Sequence, residues 1–254
     1  MPPVSAADEN LDAFVGKWQA LNPEQKVLQG FVAASERRAF HAWGSLQYEL
    51  QATLFEIEHE PVRLQKSLWW AEELQRLNSG SPRHPVTQAL SLVSASWADL
   101  PGPMAVLSRQ LPLRCGNTQQ LMDSLLPFAR VFAACESALF GGTQPGDGHT
   151  QALSWLVHRL PHAWTAFDRA MVPLHLVARH QPTAAGDVPE ALKQDWLLEL
   201  QRLVPEAAAD NWYSEAQRRF TRRRLQALLH SKQPGIGPGH AWDAWRARRL
   251  HSRY

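Results

Sequence analysis

The chain is short of cysteine, long apolar runs, strand-like alternation and, over two long stretches, of carboxylates. Each shortage excludes something. Two cysteines in 254 residues, Cys115 and Cys135, give neither a disulfide framework nor a metal spacing, which suits a reducing compartment and an expected cytoplasmic location. No apolar run reaches the roughly 20 residues that span a bilayer. The start, MPPVSAADENLD, has no basic region followed by an apolar one, so no secretory signal is read there. The histidines show no HExxH or other zinc spacing, and no metal site is expected. No Ser–His–acid order, Walker loop or GxGxxG pattern points to nucleophilic, nucleotide or dinucleotide chemistry. No aspartate lies between residues 13 and 98, and no acidic residue between Gly148 and Phe167.

What is present is helix. The 44% apolar content suffices for a sizeable core. Phe40, Trp43, Leu46, Leu50, Leu54 and Ile57 recur every three or four residues, as one helix face does. The Glu60-Pro61 pair reads as a boundary. A second helix follows through Leu64, Leu68, Ala71, Leu74 and Leu77, stopped by Asn78–Pro82. Further helices are expected over 12–20, from Asn22-Pro23 onward, and over 85–97, 104–111, 118–140, 149–160, 163–177, 188–204 and 207–230. The fold class is therefore all-α, with roughly ten helices and no 20–50-residue repeat. Residues 232–239 hold two prolines and three glycines and read as a linker. The division is a helical domain over 1–231, that linker, and a basic C-terminal helix over 240–254.

Charge is uneven. Residues 202–254 carry 11 Lys/Arg against 4 Asp/Glu, although the whole chain is only +2. A basic end on an acidic body suits an anionic surface, an acidic partner or the body itself. The run Arg218, Arg219, Arg222, Arg223 and Arg224 reads first as a solvated face paired with acidic neighbours. A peripheral membrane contact is second, because Phe220, Leu225, Leu228, Leu229, Trp242 and Trp245 accompany the arginines. No nucleic-acid partner is expected, since no binding motif accompanies the charge.

Glu49-Leu50 on one helix is followed by the block Trp69-Trp70-Ala71-Glu72-Glu73-Leu74 on the next, then by Gly80 and His84-Pro85-Val86. In this the chain resembles the squalene/phytoene synthase family of head-to-head prenyltransferases. The resemblance covers roughly residues 25–180 and implies a single-domain bundle of the isoprenoid synthase type with a central cavity. It also implies two aspartate pairs that hold magnesium against a prenyl diphosphate. Here the first pair of positions is Gln51 and Phe55. The second frame, Leu153 to Ala163 followed by Asp168-Arg169 and Val172-Pro173-Leu174, places Arg159 and Ala163 in the aspartate slots. Tyr48 stands where the family often has a phosphate-binding arginine.

Facing carboxylates are what bind magnesium to a diphosphate. Phe55 and Ala163 cannot be ligands, Gln51 offers only an amide oxygen, and Arg159 reverses the charge. The expectation is thus a non-catalytic member of the fold that binds an isoprenoid, lipid or protein partner and needs no cofactor. Tyr48, Arg159 and Arg169 are the candidate ligand contacts. One alternative is an active, magnesium-dependent prenyl diphosphate transferase of isoprenoid biosynthesis, with Glu56 and Glu60 replacing the lost pair. Another is an assembly or scaffold protein at a membrane surface. Asp195 and Glu199 read as a solvent-facing stripe. Trp69-Trp70 reads as packing, with one ring in the core and the other at an element boundary.

Overall fold

The computed structural model describes residues 6–160, 170–180, 189–230, 232 and 234–251. Among them are twelve α-helices, one 3-10 turn (Trp97–Asp99) and no strand. In chain order the helices are α1 (Ala6–Leu21), α2 (Glu24–Gln29), α3 (Arg37–Phe55), α4 (Glu60–Asn78), α5 (Pro85–Leu90) and α6 (Pro101–Gln110). They continue as α7 (Thr118–Phe140), α8 (His149–Arg159), α9 (Leu174–Arg179), α10 (Glu190–Arg202), α11 (Trp212–Leu229) and α12 (Pro238–His251).

Helix starts follow the capping chemistry. Asn117 and Asn211 open α7 and α11, their side chains accepting from the backbone N–H of Gln120 (2.8 Å) and Ser214 (2.9 Å). Proline sits in the first turn of α4, α5 and α6, where its missing N–H costs nothing. The expected boundary at Glu60-Pro61 is the start of α4, while α3 ends earlier, at Phe55, and α6 starts at Pro101, before the expected Met104. The expected helix over 85–97 stops at Leu90. There the Ser91 hydroxyl donates to the Gln88 carbonyl (2.8 Å) within a serine-rich stretch that competes with helical bonding. The expected start at Ala207 moves to Trp212, behind the Asn211 cap. Part of the expected helix over 163–177 lies outside the described residues.

The central helix is α3, which buries Phe40, Trp43, Leu46, Leu50, Leu54 and Phe55. It packs on α1, α4 and α5, while α7 packs on α6, α8 and α11. Gly44 permits a close approach of α3 to α1. A Cβ there would lie 2.1 Å from the Trp18 indole of α1. At the α7–α8 turn, Gly148 has φ of +84° and lies against the backbone of Ala129 and Arg130, which excludes any side chain.

The motif shared by α4 and α5 has a structural use. Glu73 is fully buried and accepts from the backbone N–H groups of Arg83 (2.7 Å) and His84 (2.8 Å) and from the Thr87 hydroxyl (2.6 Å). Burial pushes its pKa up, but these bonds outweigh it and hold the carboxyl below its ordinary value. His84 meets Trp70, Trp69 and Phe14 edge-on. Trp70 is in the core, whereas Trp69 is 44% exposed in the middle of α4, not at an element boundary. Arg63, also buried, fastens α4 to α6 by donating to the carbonyls of Ser108 (3.1 Å) and Leu111 (2.7 Å).

The segment after the linker is docked on the body. Ala244 and Ala247 of α12 are fully buried, Asp243 pairs with Arg223 of α11 (2.7 Å), and Arg248 pairs with Glu36 (2.7 Å). Gly44→Ala is expected to displace the Trp18 ring and lower stability by about 1–3 kcal/mol, the usual cost of overpacking, readable as an earlier thermal midpoint.

Candidate functional site

Four helices converge beside the positions that the resemblance singles out. Gln47, Tyr48 and Gln51 lie on one side of α3, and Gln151, Ser154 and His158 form a stripe on α8. Tyr213 and Gln217 come from α11, and Glu136 from α7. Together with Trp18, Asn22, Gln25 and Trp155 they enclose a cleft of about 50 Å³. A cleft of that size has room for a few water molecules, against the roughly 300–1,000 Å³ of a small-molecule pocket.

Its floor is the Glu136 carboxylate, which is fully buried. One oxygen accepts from Gln47 Nε2 (2.6 Å) and Trp43 Nε1 (3.4 Å), the other from Gln151 Nε2 (2.6 Å) and the Ser214 hydroxyl (2.5 Å). Gln47 is held in turn by the Tyr213 hydroxyl, which donates to its Oε1 (2.8 Å). All four donors are neutral. Burial therefore dominates and pushes the Glu136 pKa above the usual carboxylate value, although each hydrogen bond opposes it. Two of the lining residues, Gln25 and Gln217, form a reciprocal amide pair (3.1 and 3.2 Å).

Glu24 of α2, nearly buried, ties the rim to α8 and α11. It lies 3.2 Å from His158 Nε2 and 3.1 Å from Arg224 Nη2. Burial would raise its pKa, but the His158 hydrogen bond and the charges of His158 and Arg224 prevail and hold it at about 2.

The predicted site residues separate. Gln51 and Tyr48 line the cleft. Burial, together with the charges of Glu56 and Glu49, raises the Tyr48 pKa. Phe55 is not at the cleft but in the core, 6.3 Å from the Trp155 ring. Trp155 packs in turn on Phe128 (5.5 Å) and Phe132 (5.2 Å). The Arg159 guanidinium lies over the Phe55 ring at 5.5 Å, so the residue standing in one motif covers the residue standing in the other. Ala163 and Arg169 lie outside the described residues. Glu56 and Glu60 do not share a helix: α3 ends at Phe55, Glu56 follows it, Glu60 opens α4, and both residues are exposed.

Magnesium does not fit this donor set. It prefers six oxygen ligands, largely carboxylates and water. Of the described motif positions, Gln51 has one amide oxygen, Phe55 has no donor and Arg159 is a cation. Among the described residues no group of three or more His, Cys, Asp or Glu could hold a metal ion.

The other acidic pair is not a solvent-facing stripe. Asp195 accepts from His180 Nε2 (2.8 Å) and Arg179 (3.1 Å), and Glu199 from His175 Nε2 (2.8 Å) and the Thr118 hydroxyl. The two carboxylates thus tie α10 to α9 and to the start of α7. Cys135 is fully buried, and burial pushes its thiol pKa up, which leaves it unreactive at neutral pH.

Sequence reasoning missed Glu136 and Glu24. The signal for Glu136 was a lone acid within the apolar run Val131–Phe140. For Glu24 there was none, because a glutamate in a helix's first turn is ordinarily solvated. A comparison with family models finds no match to the chain, and a comparison with curated proteins finds none either.

Glu136→Leu is expected to cost about 3 kcal/mol or more in urea unfolding, because it strips the acceptor from several buried donors at once. Glu24 ionises at about 2 in the fold against about 4.5 for an unshifted carboxyl. Its stabilising contribution is therefore complete above pH 4.5 and is lost as the pH falls towards 2. Glu24→Gln should be less stable than the wild type at neutral pH by up to about 3 kcal/mol. The two denaturation curves should then converge on acidification through that window.

Proposed function

We propose that this chain is a catalytically silent, squalene/phytoene synthase-like helical bundle that works by binding a partner at its outer surface. The observation that carries this reading is the Phe55–Arg159 contact. An apolar ring and a cation meet where two carboxylate pairs would have to face each other across magnesium. The surroundings support it too. Phe55, Trp155, Phe128 and Phe132 fill the interior at this level. The adjoining cleft of about 50 Å³ is far smaller than a prenyl chain. Gln51 and Tyr48 could hydrogen-bond a small polar group there, but they supply no charge to stabilise a departing diphosphate. An isoprenoid or other lipid partner, on this reading, meets the protein from outside and not in a central cavity.

The competing reading is a transferase that uses Glu56 and Glu60. Their exposure gives magnesium no enclosed site in which to polarise a leaving group. Incubating the purified chain with farnesyl or geranylgeranyl diphosphate and magnesium should release no diphosphate. Release that disappears in Glu56→Gln would refute the silent reading and establish the transferase.

A further inference from the structure

The amphipathicity of α12 is inverted. Its inner face is made of small residues, Ala244 and Ala247, which let it lie close on α11. Its outer face carries the bulk: Trp242 is 56% exposed, Trp245 37% and Leu250 49%, with Arg246 and Arg249 exposed among them. The two indoles stack at 4.9 Å, and the Arg249 guanidinium lies 5.0 Å from the Trp245 ring. Burying an alanine gains far less than burying a tryptophan, so packing against the body cannot account for the choice of side chains on the outside.

Arg246 joins this ridge to a groove of about 300 Å³ between α11 and α12, lined by Arg218, Arg219, Arg222, Arg223 and Gln226 as well, with Asp243 as its only acid. The arginines differ in what they face. Glu215 pairs with both Arg218 and Arg219, and Asp243 holds Arg223 and lies 4.0 Å from Arg219, so these three cations share two carboxylates. Arg224 and Arg248, turned elsewhere, are taken by Glu24 and Glu36. Among the described residues no carboxylate lies within ion-pair distance of Arg222, Arg246 or Arg249. The surplus positive charge is therefore on the side of the exposed tryptophans.

We propose that the α11–α12 edge docks on an anionic lipid bilayer. Arg222, Arg246 and Arg249 meet lipid phosphates, and Trp242, Trp245 and Leu250 enter the headgroup level. Indole rings favour that depth because one edge is apolar and the N–H can still reach water or a phosphate oxygen. Basic side chains beside them add attraction to an anionic leaflet that fades within a Debye length. No helix among the described residues is long and apolar enough to cross a membrane, so the contact is peripheral. This inference does not rest on the silent-enzyme reading; an active transferase could dock in the same way, and failure here would leave that reading where it stands.

The test is co-sedimentation of the full chain with phosphatidylcholine vesicles made with and without phosphatidylglycerol. The wild type should pellet only with the anionic vesicles and be released on moving from about 0.1 M to about 1 M salt. Arg246→Glu with Arg249→Glu should weaken the partition by roughly fivefold or more for each arginine. Trp242→Ser with Trp245→Ser should weaken it while net charge is unchanged. Arg109→Glu with Arg114→Glu, on and just after α6, which packs on α4 and α7, carries the same charge change and should have little effect. All of these residues but Trp245 and Trp242 are simple surface charges, and the two indoles are already exposed, so circular dichroism melting should confirm intact folds. The proposal is overturned if the wild type pellets with neither vesicle or equally with both. It is also overturned if either α12 pair binds like the wild type, if the α6 pair loses as much, or if inorganic phosphate fully displaces the protein at an ionic strength at which chloride does not.

Discussion

A carboxylate buried without a cation is the constraint around which this bundle is arranged. Glu136 lies fully inside, and the groups that satisfy it come from α3, α8 and α11. None of those helices can shift without stranding either the acid or a buried amide. An unpaired buried polar group is costly, and a partly satisfied network is worse than an apolar one. Gln47 adds a second tier, bonded to Glu136 on one side and to Tyr213 on the other. Apolar packing alone would allow α8 to slide along α7. The polar floor admits only one register.

Beside that floor the interior is closed by rings. Phe55, Trp155, Phe128 and Phe132 form a continuous aromatic layer, capped at its edge by Arg159. A phenylalanine ring under a guanidinium offers no oxygen to a metal ion and no room for the water around one. The ring of Phe55 and the guanidinium of Arg159 leave neither a carboxylate nor open space at this level, and both facts support the proposed role at the outside of the molecule.

The arginines show how context sorts residues of one type. Arg218 and Arg219 of the same helix clasp Glu215, and Arg223 and Arg224 reach Asp243 and Glu24 in different helices. These four are structural joints. Arg222, one position from Arg223, faces outwards, because consecutive residues on a helix point about a quarter-turn or more apart. Half of the ten described Lys/Arg of the C-terminal segment are thus engaged within the fold, and Arg222, Arg246 and Arg249 are among those left for another surface.

Apolar spacing alone was enough to establish an all-α chain, and it located α7 from Thr118 to Phe140 and the core face of α3, because a 3.6-residue period is a local property. The shortage of carboxylates at the motif positions was equally legible, since composition needs no coordinates. Finer limits were not. Serines ended α5 early, and Asn211 delayed α11, through side-chain hydrogen bonds that compete with a continuing pattern. The sequence could say that Gln51, Phe55 and Arg159 are not metal ligands, but not that Gln51 lines a cleft while Phe55 and Arg159 touch each other. Glu136 showed only as a lone acid in an apolar run, and Glu24 and the inverted α12 were beyond the sequence altogether. An acid's role depends on which donors other helices bring to it, and a tryptophan's exposure on which face its helix turns inward. Both are decided by packing between segments far apart in the chain, and that information exists only in the tertiary structure.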